Sequence, residues 1–472
     1  MGMGGRFLCL ACLCILAQTA KASDEKTATT QSHDADVFGD ASAPGLPQDP
    51  TQTTAPSVET TLQNKITERT KILDLGGQFY LRMDYNAQRD GRPENFSLQS
   101  PNLFDAYFDV RPNDRLRGMV RGRLRHTPTL SGAPTLSGAP TTTYFGTSVK
   151  TTQVFLDQMW LKFDMARCVF VTFGRQPVRF GTGHFWNPTD VLNHFRRDPL
   201  AIFDERIGIS LLKIHIPVEK YGWNFYAIAS LDESNAPKHV GGTLRAEFLL
   251  YQAEIALTAS VRRNNPVQMG LDFSRALGPI DVHLEWALSE GITRDFYTRG
   301  FDTNTQSLPA ATRHPKTWFH QALAGIEWPI KYSDQDSVVL GVEYFYNQLG
   351  YKSSSVYPVL LYKQLYTPLY LGKHYTGLYG VLANPGTWNN TTFILSVLGN
   401  MSDMSYLARF DYRIRILTYL DLNAYTAYHF GKAGEFYLGG SAPALPALLG
   451  LENGLSFKQP FFDVGVGLRM QF

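Results

Sequence analysis

The sequence predicts an all-β fold: a transmembrane, antiparallel, up-and-down β-barrel of about eighteen strands, with sixteen as the alternative count. Three observations predict it. From Leu73 to Phe472, apolar residues recur at every second position in run after run, the spacing at which side chains alternate between the faces of a strand. The links between runs alternate long and short, as outer loops and periplasmic turns do in membrane barrels. Beyond residue 22 no stretch approaches the ~18 consecutive apolar residues of a membrane helix, although the chain opens on an export-type leader.

That leader is MGMGGRFLCLACLCILAQTAKA, with one Arg ahead of an apolar run from Phe7 to Ala17 and the small-residue pattern Ala20-Lys21-Ala22. Residues 1–22 therefore read as a removed secretory signal. Cys9, Cys12 and Cys14 fall inside it and lack the spacing of a lipoprotein signal, so Cys168 alone survives and no disulfide or cysteine zinc site is expected. Residues 23–70 are rich in Thr, Ser, Ala, Pro, Asp and Gln, with eight acids against three bases. Such a composition buries too little to offset its ordering entropy. It is expected to be a disordered periplasmic extension, with a short helix near 62–71 as the alternative. Residues 71–472 form the barrel, and an aromatic content of 13% suits interface girdles.

The apolar faces, in order, begin with Phe79, Leu81, Met83 and Tyr85, then Phe104, Ala106, Phe108 and Val110, then Leu116, Val120 and Leu124. A fourth strand near 152–163 has no clear register. The fifth carries Val169, Val171 and Phe173, and a sixth near 205–216 is ambiguous. The seventh to eleventh present Phe225–Leu231, Leu244–Leu250, Ala253–Val261, Val267–Phe273 and Ile280–Leu288, each at alternate positions. The twelfth has Ala322, Ala324, Ile326 and Trp328, and the thirteenth Val338, Leu340, Val342, Tyr344 and Tyr346. A fourteenth near 376–383 is weak. Phe393, Leu395 and Val397 mark the fifteenth. The sixteenth and seventeenth run from Tyr406 to Ile416 and from Leu420 to Phe430. The last, PFFDVGVGLRMQF, sets Phe462, Val464, Val466, Leu468, Met470 and Phe472 against Asp463, Gly465, Gly467, Arg469 and Gln471.

Long links at 126–151, 179–204, 290–317, 348–375 and 431–459 alternate with short ones at 112–114, 164–167, 217–222, 329–336, 384–389 and 417–418. Two outer links, 263–266 and 399–404, break the rule by being short. A soluble sandwich or propeller has no reason to alternate in this way. PTLSGA occurs twice, at 128–133 and 134–139, and reads as a duplication in a surface loop.

The strand RLRGMVRGRLR places Arg115, Arg117, Arg121, Arg123 and Arg125 on one face. An Arg facing lipid costs about 2–4 kcal/mol at mid-membrane, so this face lines the lumen. Arg409, Arg413 and Arg415 repeat the arrangement, and Arg82 and Arg469 continue it across the seam, with Asp84, Asp105, Asp109, Asp411 and Asp463 as ladder partners. The same registers turn Glu247, Glu254, Asp272, Asp281, Glu285, Glu327 and Glu343 inward on the opposite wall, offset by Arg245 and Arg262. Facing walls of opposite sign make a transverse field that orients polar solutes. Arg121 and Arg123, midway along their strand, are expected to dominate selectivity.

The final strand resembles the closing strand of bacterial outer-membrane β-barrels, which end on an aromatic residue. That resemblance implies that the strand ending in Phe472 is read by the barrel-assembly machinery. The run GRQ-x-VRFGTG-x-FWNPTD from Gly174 resembles segments of large outer-membrane porins, of the alginate-export and carbohydrate or organic-acid type. In porins the third outer loop often folds inward as the constriction. The resemblance then makes His184, Phe185, Trp186, Asp190, His194, Arg196, Arg197 and Asp198 the constriction candidates; the alternative is a lid resting on the rim. The two histidines have no third partner in the sequence for a metal.

No GxSxG, HExxH or phospholipase Ser/His motif is present, and 48 polar residues are too few for a transporter plug. The Arg face is internal, so nucleic acid is not an expected partner. The expectation is a porin-like outer-membrane channel for passive diffusion of small polar or anionic solutes, not an enzyme and without a cofactor. Its expected partners are outer-membrane lipid and, as an open case, further copies of itself. The alternatives are a polysaccharide-export or substrate-specific carbohydrate channel, and a structural barrel with a blocked lumen.

Overall fold

The computed structural model describes residues 72–472 except 89–96, 129–151, 194, 233–235, 263–265, 293–294, 301–307, 315, 334–335, 364, 439, 443–454 and 458–459. The expected leader, the 23–70 extension with its alternative helix, His194 and nearly all of the duplicated hexapeptide lie outside the described residues.

Eighteen strands close the barrel: β1 (Leu73–Gln88), β2 (Asn102–Asn113), β3 (Leu116–His126), β4 (Thr152–Met165), β5 (Val169–Gln176), β6 (Ile209–Val218), β7 (Trp223–Ser230), β8 (Gly241–Leu250), β9 (Ala253–Val261), β10 (Val267–Leu277), β11 (Ile280–Glu290), β12 (Trp318–Lys331), β13 (Ser337–Asn347), β14 (His374–Ala383), β15 (Thr391–Asn400), β16 (Ser405–Leu417), β17 (Leu420–Gly431) and β18 (Pro460–Gln471). Each pairs antiparallel with its neighbour in sequence, and a three-residue strand, Ser97–Gln99, extends the edge of β1. The ring is completed by β18 against β1, from Gln78 opposite Gln471 to Gln88 opposite Pro460. Phe472 continues that seam: its N–H donates to the Gly77 carbonyl at 3.1 Å, and the Gly77 N–H returns the bond at 2.9 Å. Closure leaves no unpaired strand edge, which is what lets a sheet face hydrocarbon.

Every apolar face with a stated register points outward. Leu81, Leu257, Leu395 and Val466 are exposed on the exterior, whereas Asp84, Thr258, Ser396 and Asp463 beside them are buried. The three ambiguous strands have physical causes. In β4 a bulge sets Arg121 opposite Gln158 and Gly122 opposite Leu156, so Asp157 is an extra residue and the phase flips within the strand. In β6 the inner face is itself apolar at Ile209 and Leu211, which pack on an inserted loop. The strand begins at Ile209, so 205–208 belong to that loop. In β14 both faces carry apolar residues, with Tyr375 and Tyr379 buried inside and Leu378 exposed outside between Thr376 and Gly380.

The outer mouth is built up by the 348–373 link, which carries a short helix, α1 (Tyr357–Tyr362), over a cluster containing Tyr297, Tyr351, Val359 and Leu371.

Candidate functional site

The link between β5 and β6 packs against the inner wall at two separate clusters. Its path follows from what the wall offers. Glu285 on β11 and Glu343 on β13 point inward and are buried. A carboxylate there is tolerated only if hydrogen bonds replace its water, and the loop backbone supplies them. Glu285 Oε1 accepts from the Thr182 N–H at 2.6 Å and the Gly183 N–H at 2.7 Å. Its Oε2 accepts from Thr189 Oγ1 at 2.8 Å and the Thr189 N–H at 3.3 Å. Glu343 accepts from the N–H groups of His184 and, at 2.9 Å, Phe185, while His283 Nε2 lies 2.9 Å from its Oε1. Gly181, at φ +93°, is required here: a Cβ would lie 2.7 Å from Glu285 Oε1.

Four apolar contacts carry the loop across the lumen. Trp186 is fully buried, donates from Nε1 to the Leu369 carbonyl at 3.0 Å, and stacks 5.7 Å from Phe345. Phe185 packs 5.5 Å from Tyr379. Val178, Phe180 and Leu192 cover Ile209, Leu211, Tyr226 and Ile228 on β6 and β7. Phe203 reaches the far side, 5.6 Å from Tyr80 on β1 and against Leu103 on β2. The segment thus touches the wall on three sides, inside the barrel rather than as a lid on the rim.

Its charged residues are largely internal. Arg206 bridges Asp190 and Asp204, each at 2.7 Å. Arg197 donates to the His184 carbonyl at 2.7 Å, and Arg196 lies 4.5 Å over the Tyr370 ring. His184 stacks 4.0 Å from Tyr379, and burial pulls its pKa down to about 4, so the imidazole is neutral. Burial pushes Asp198 up to about 6. Among the described residues no three potential ligands gather into a metal site.

The ten predicted arginines face inward or lie on the rims, but they are not equivalent. Arg123 is buried and engaged by Asp105 at 2.7 and 3.0 Å, by Asp157 at 3.2 Å and by the Glu205 carbonyl at 2.9 Å. The sequence leads Arg123 to be expected to share with Arg121 in dominating selectivity; here the β4 bulge and the loop end engage its guanidinium. Arg125 pairs with Glu205, Arg82 with Asp84, Arg117 with Asp109 and Arg409 with Asp411. Arg115 and Arg415 pair with Asp164 and Asp421 toward the rim of short turns. Arg469 bonds Gln78 at 2.9 Å and lies 4.8 Å over Phe203. Arg121 and Arg413 have no ion pair among the described residues, and each holds a buried Nε without a hydrogen-bond partner.

The seven acids of the opposite wall face inward as expected from the registers, but most of them have partners of their own. Glu247 and Asp272 clasp Arg245 at 2.8 and 2.7 Å, Glu327 accepts from the Tyr379 hydroxyl, and Glu285 and Glu343 hold the loop. Only Glu254 and Asp281 remain exposed. The acids that face the basic wall come from the loop instead: Asp198, and Glu205 at 3.9 Å from Arg82. Sequence reasoning missed Glu205 and Asp157.

It also missed a polar knot at the outer mouth. Glu435 accepts from the Leu369 N–H, from the Tyr375 hydroxyl at 2.6 Å and from Asn400 Nδ2 at 2.8 Å. Asp403 accepts from the Tyr357 hydroxyl and the Glu435 N–H, each at 2.8 Å. This knot ties the links after β13, β15 and β17 together. Two buried carboxyls so close raise a pKa, and burial pushes Glu435 up to about 8.

No family model matches the chain, and no curated protein matches it. Solved structures with similar architecture include the outer membrane protein OpdK of Pseudomonas aeruginosa, at 8% identity and TM-score 0.49, over 84% of this chain and 99% of that one. OprB of Pseudomonas putida aligns at 11% identity and TM-score 0.45, over 88% and 97%. A mutant of the Rhodopseudomonas blastica porin aligns at 10% and 0.41, over 85% and 100%. At this distance the comparisons add nothing to the strand pairing, on which the closed barrel rests.

Proposed function

We propose that the chain is an outer-membrane channel through which small polar solutes, anionic ones preferred, diffuse passively through the lumen past the inserted loop. The observation that carries this reading is the pair Arg121 and Arg413: two inward guanidinium groups that make no ion pair among the described residues and feel Asp157 and Asp411 only at longer range, on the half of the wall that the loop does not seal with carboxylate anchors. A fixed cation in a narrow, low-dielectric passage raises the local concentration of anions. The exterior, apolar all round, supports a membrane site; the leader supports export to the outer membrane, with 23–70 on the periplasmic side.

The test is planar-bilayer recording of the purified barrel with a panel of small carboxylates, phosphate and neutral sugars. The reading expects steady ohmic conductance that small carboxylates reduce in competition. Block by sugars alone would transfer the proposal to a carbohydrate channel. Absence of conductance would transfer it to a structural barrel, a reading that the loop's contacts on three sides of the lumen favour.

A further inference from the structure

A second feature lies on the outside of the barrel. Two rows of paired outward residues cross β6 to β11. The lower row runs Ile216, Phe225, Ala246, Leu257, Leu271, Trp286, each opposite the next across a strand pair. The row above contains Ala227 and Ala259, one on each side of Leu244. Alanines among large neighbours leave a depression of about 700 Å³ in the lipid-facing surface, lined almost wholly by carbon.

Its dimensions select the occupant. Six strands at ~4.8 Å spacing span ~24 Å, and two rows are ~7 Å wide. Such a slot is too narrow for a helix of ~10–12 Å diameter, and a flat neighbouring barrel wall would bridge it without filling it. A single extended hydrocarbon chain fits it. The surrounding membrane supplies such chains, and leaving the depression empty would forfeit dispersion contacts along its floor.

The lower end of the slot carries the second argument. Ile216 and Phe225 lie next to the periplasmic turn 219–222, where Lys220 and Tyr221 are exposed. Lys220 Nζ lies 5.3 Å from the Tyr221 ring. Tyr221, Trp223 and Phe248 form a ring ladder at 5.1 and 5.3 Å, and Phe248 meets Phe225 at 5.9 Å. Aromatic rings beside a basic residue mark headgroup depth. Glu219 shares the turn, and Arg275, exposed on the outward face of β10, restores the excess of base on this rim.

We infer that this slot binds one glycerophospholipid of the periplasmic leaflet, with an acyl chain along Ala227, Ala246 and Ala259 and an anionic headgroup at Lys220. The inference rests on the membrane-spanning reading but not on the channel reading, so conductance is a separate readout.

Native mass spectrometry of detergent-purified protein, after exchange with dioleoyl phosphatidylglycerol or dioleoyl phosphatidylethanolamine, tests it. One retained phosphatidylglycerol per barrel is expected. Ala246→Trp, which fills the floor, should abolish retention. Lys220→Ala should lower phosphatidylglycerol retention about fivefold, the effect of one basic residue near an anionic surface, and change phosphatidylethanolamine less. Ala259→Leu serves as a milder filler should Ala246→Trp fail to give heat-modifiable, folded barrel. Retention unchanged in the folded filler variants would overturn the inference. So would a wild-type oligomer that falls to monomer on filling while its lipid count stays the same, because the slot would then seat a second copy.

Discussion

The two halves of the inner wall carry charges of opposite sign and use them differently. On β8–β14 five of the seven predicted acids are engaged: Glu285 and Glu343 receive loop backbone N–H groups, Glu247 and Asp272 hold Arg245, and Glu327 holds Tyr379. On β1–β4 and β16–β18 most arginines pair with an aspartate on their own or the next strand, yet Arg121 and Arg413 make no ion pair among the described residues. Acid on one side is structural mortar, whereas base on the other exceeds what the ladder consumes. A row of like charges on a strand therefore identifies the wet face without saying which charges remain for a solute.

The largest break in this comparison comes from removing the mortar. Glu285→Ala with Glu343→Ala deletes acceptors of charge-assisted bonds worth about 1.5–3 kcal/mol each. The loop should leave the wall, and single-channel conductance should rise severalfold. Trp186 fluorescence, shielded in the parent, should become open to an aqueous quencher. Unchanged conductance would mean that the apolar contacts of Phe185, Trp186 and Phe180 suffice.

Next in size is a contrast within the basic half. Arg123→Gln strands Asp105 and Asp157, and breaking a buried pair costs about 3–5 kcal/mol. Thermal unfolding of the barrel should shift down clearly, and selectivity should move little. Arg121→Gln, which breaks no ion pair and only a 5.7 Å contact with the Tyr107 ring, should shift unfolding much less. Equal thermal shifts in the two variants would contradict the division between ladder and free charge.

A smaller effect is expected at the outer mouth. The Glu435 carboxyl has its pKa raised to about 8 from an ordinary value of 4.5. The docked state then binds more protons than the released one between those pH values, so docking weakens as pH rises from about 4.5 to 8 and levels off above. Asp403, Tyr357, Tyr366 and Tyr375 face the same knot. Protease nicking of the 432–438 link should increase from pH 6 to 9, and Glu435→Gln should flatten that profile. The smallest effect belongs to the exposed acids: Glu254→Gln with Asp281→Gln should alter selectivity only slightly.

Much of this was legible in the chain. Period-two patterning under the cost of an Arg in lipid set the faces of fifteen strands, because lipid outside and water inside leave one low-cost register. It failed where another rule intervened. The bulge at Asp157 broke the period in β4, and the inserted loop made the inner faces of β6 and β14 apolar. That loop was recognised by resemblance, on the run from Gly174 to Asp190. Its anchors were not visible, because backbone N–H groups leave no sequence signal and Glu285 reads like any inward acid. Glu205 was missed because it reaches the basic wall from the far end of the excursion over 177–208, a pairing that no local pattern encodes.

The central claim is that Arg121 and Arg413 set the charge preference of the pore while the acidic half is structural. Reversal potential across a salt gradient, in wild type and in Arg121→Gln with Arg413→Gln, tests it most directly. The account predicts a weak anion preference in the wild type that fades near 1 M salt, where the Debye length is ~3 Å, and a shift toward cations in the double variant with unfolding little shifted. A wild-type cation preference, or a double variant that keeps the wild-type reversal potential, would contradict it.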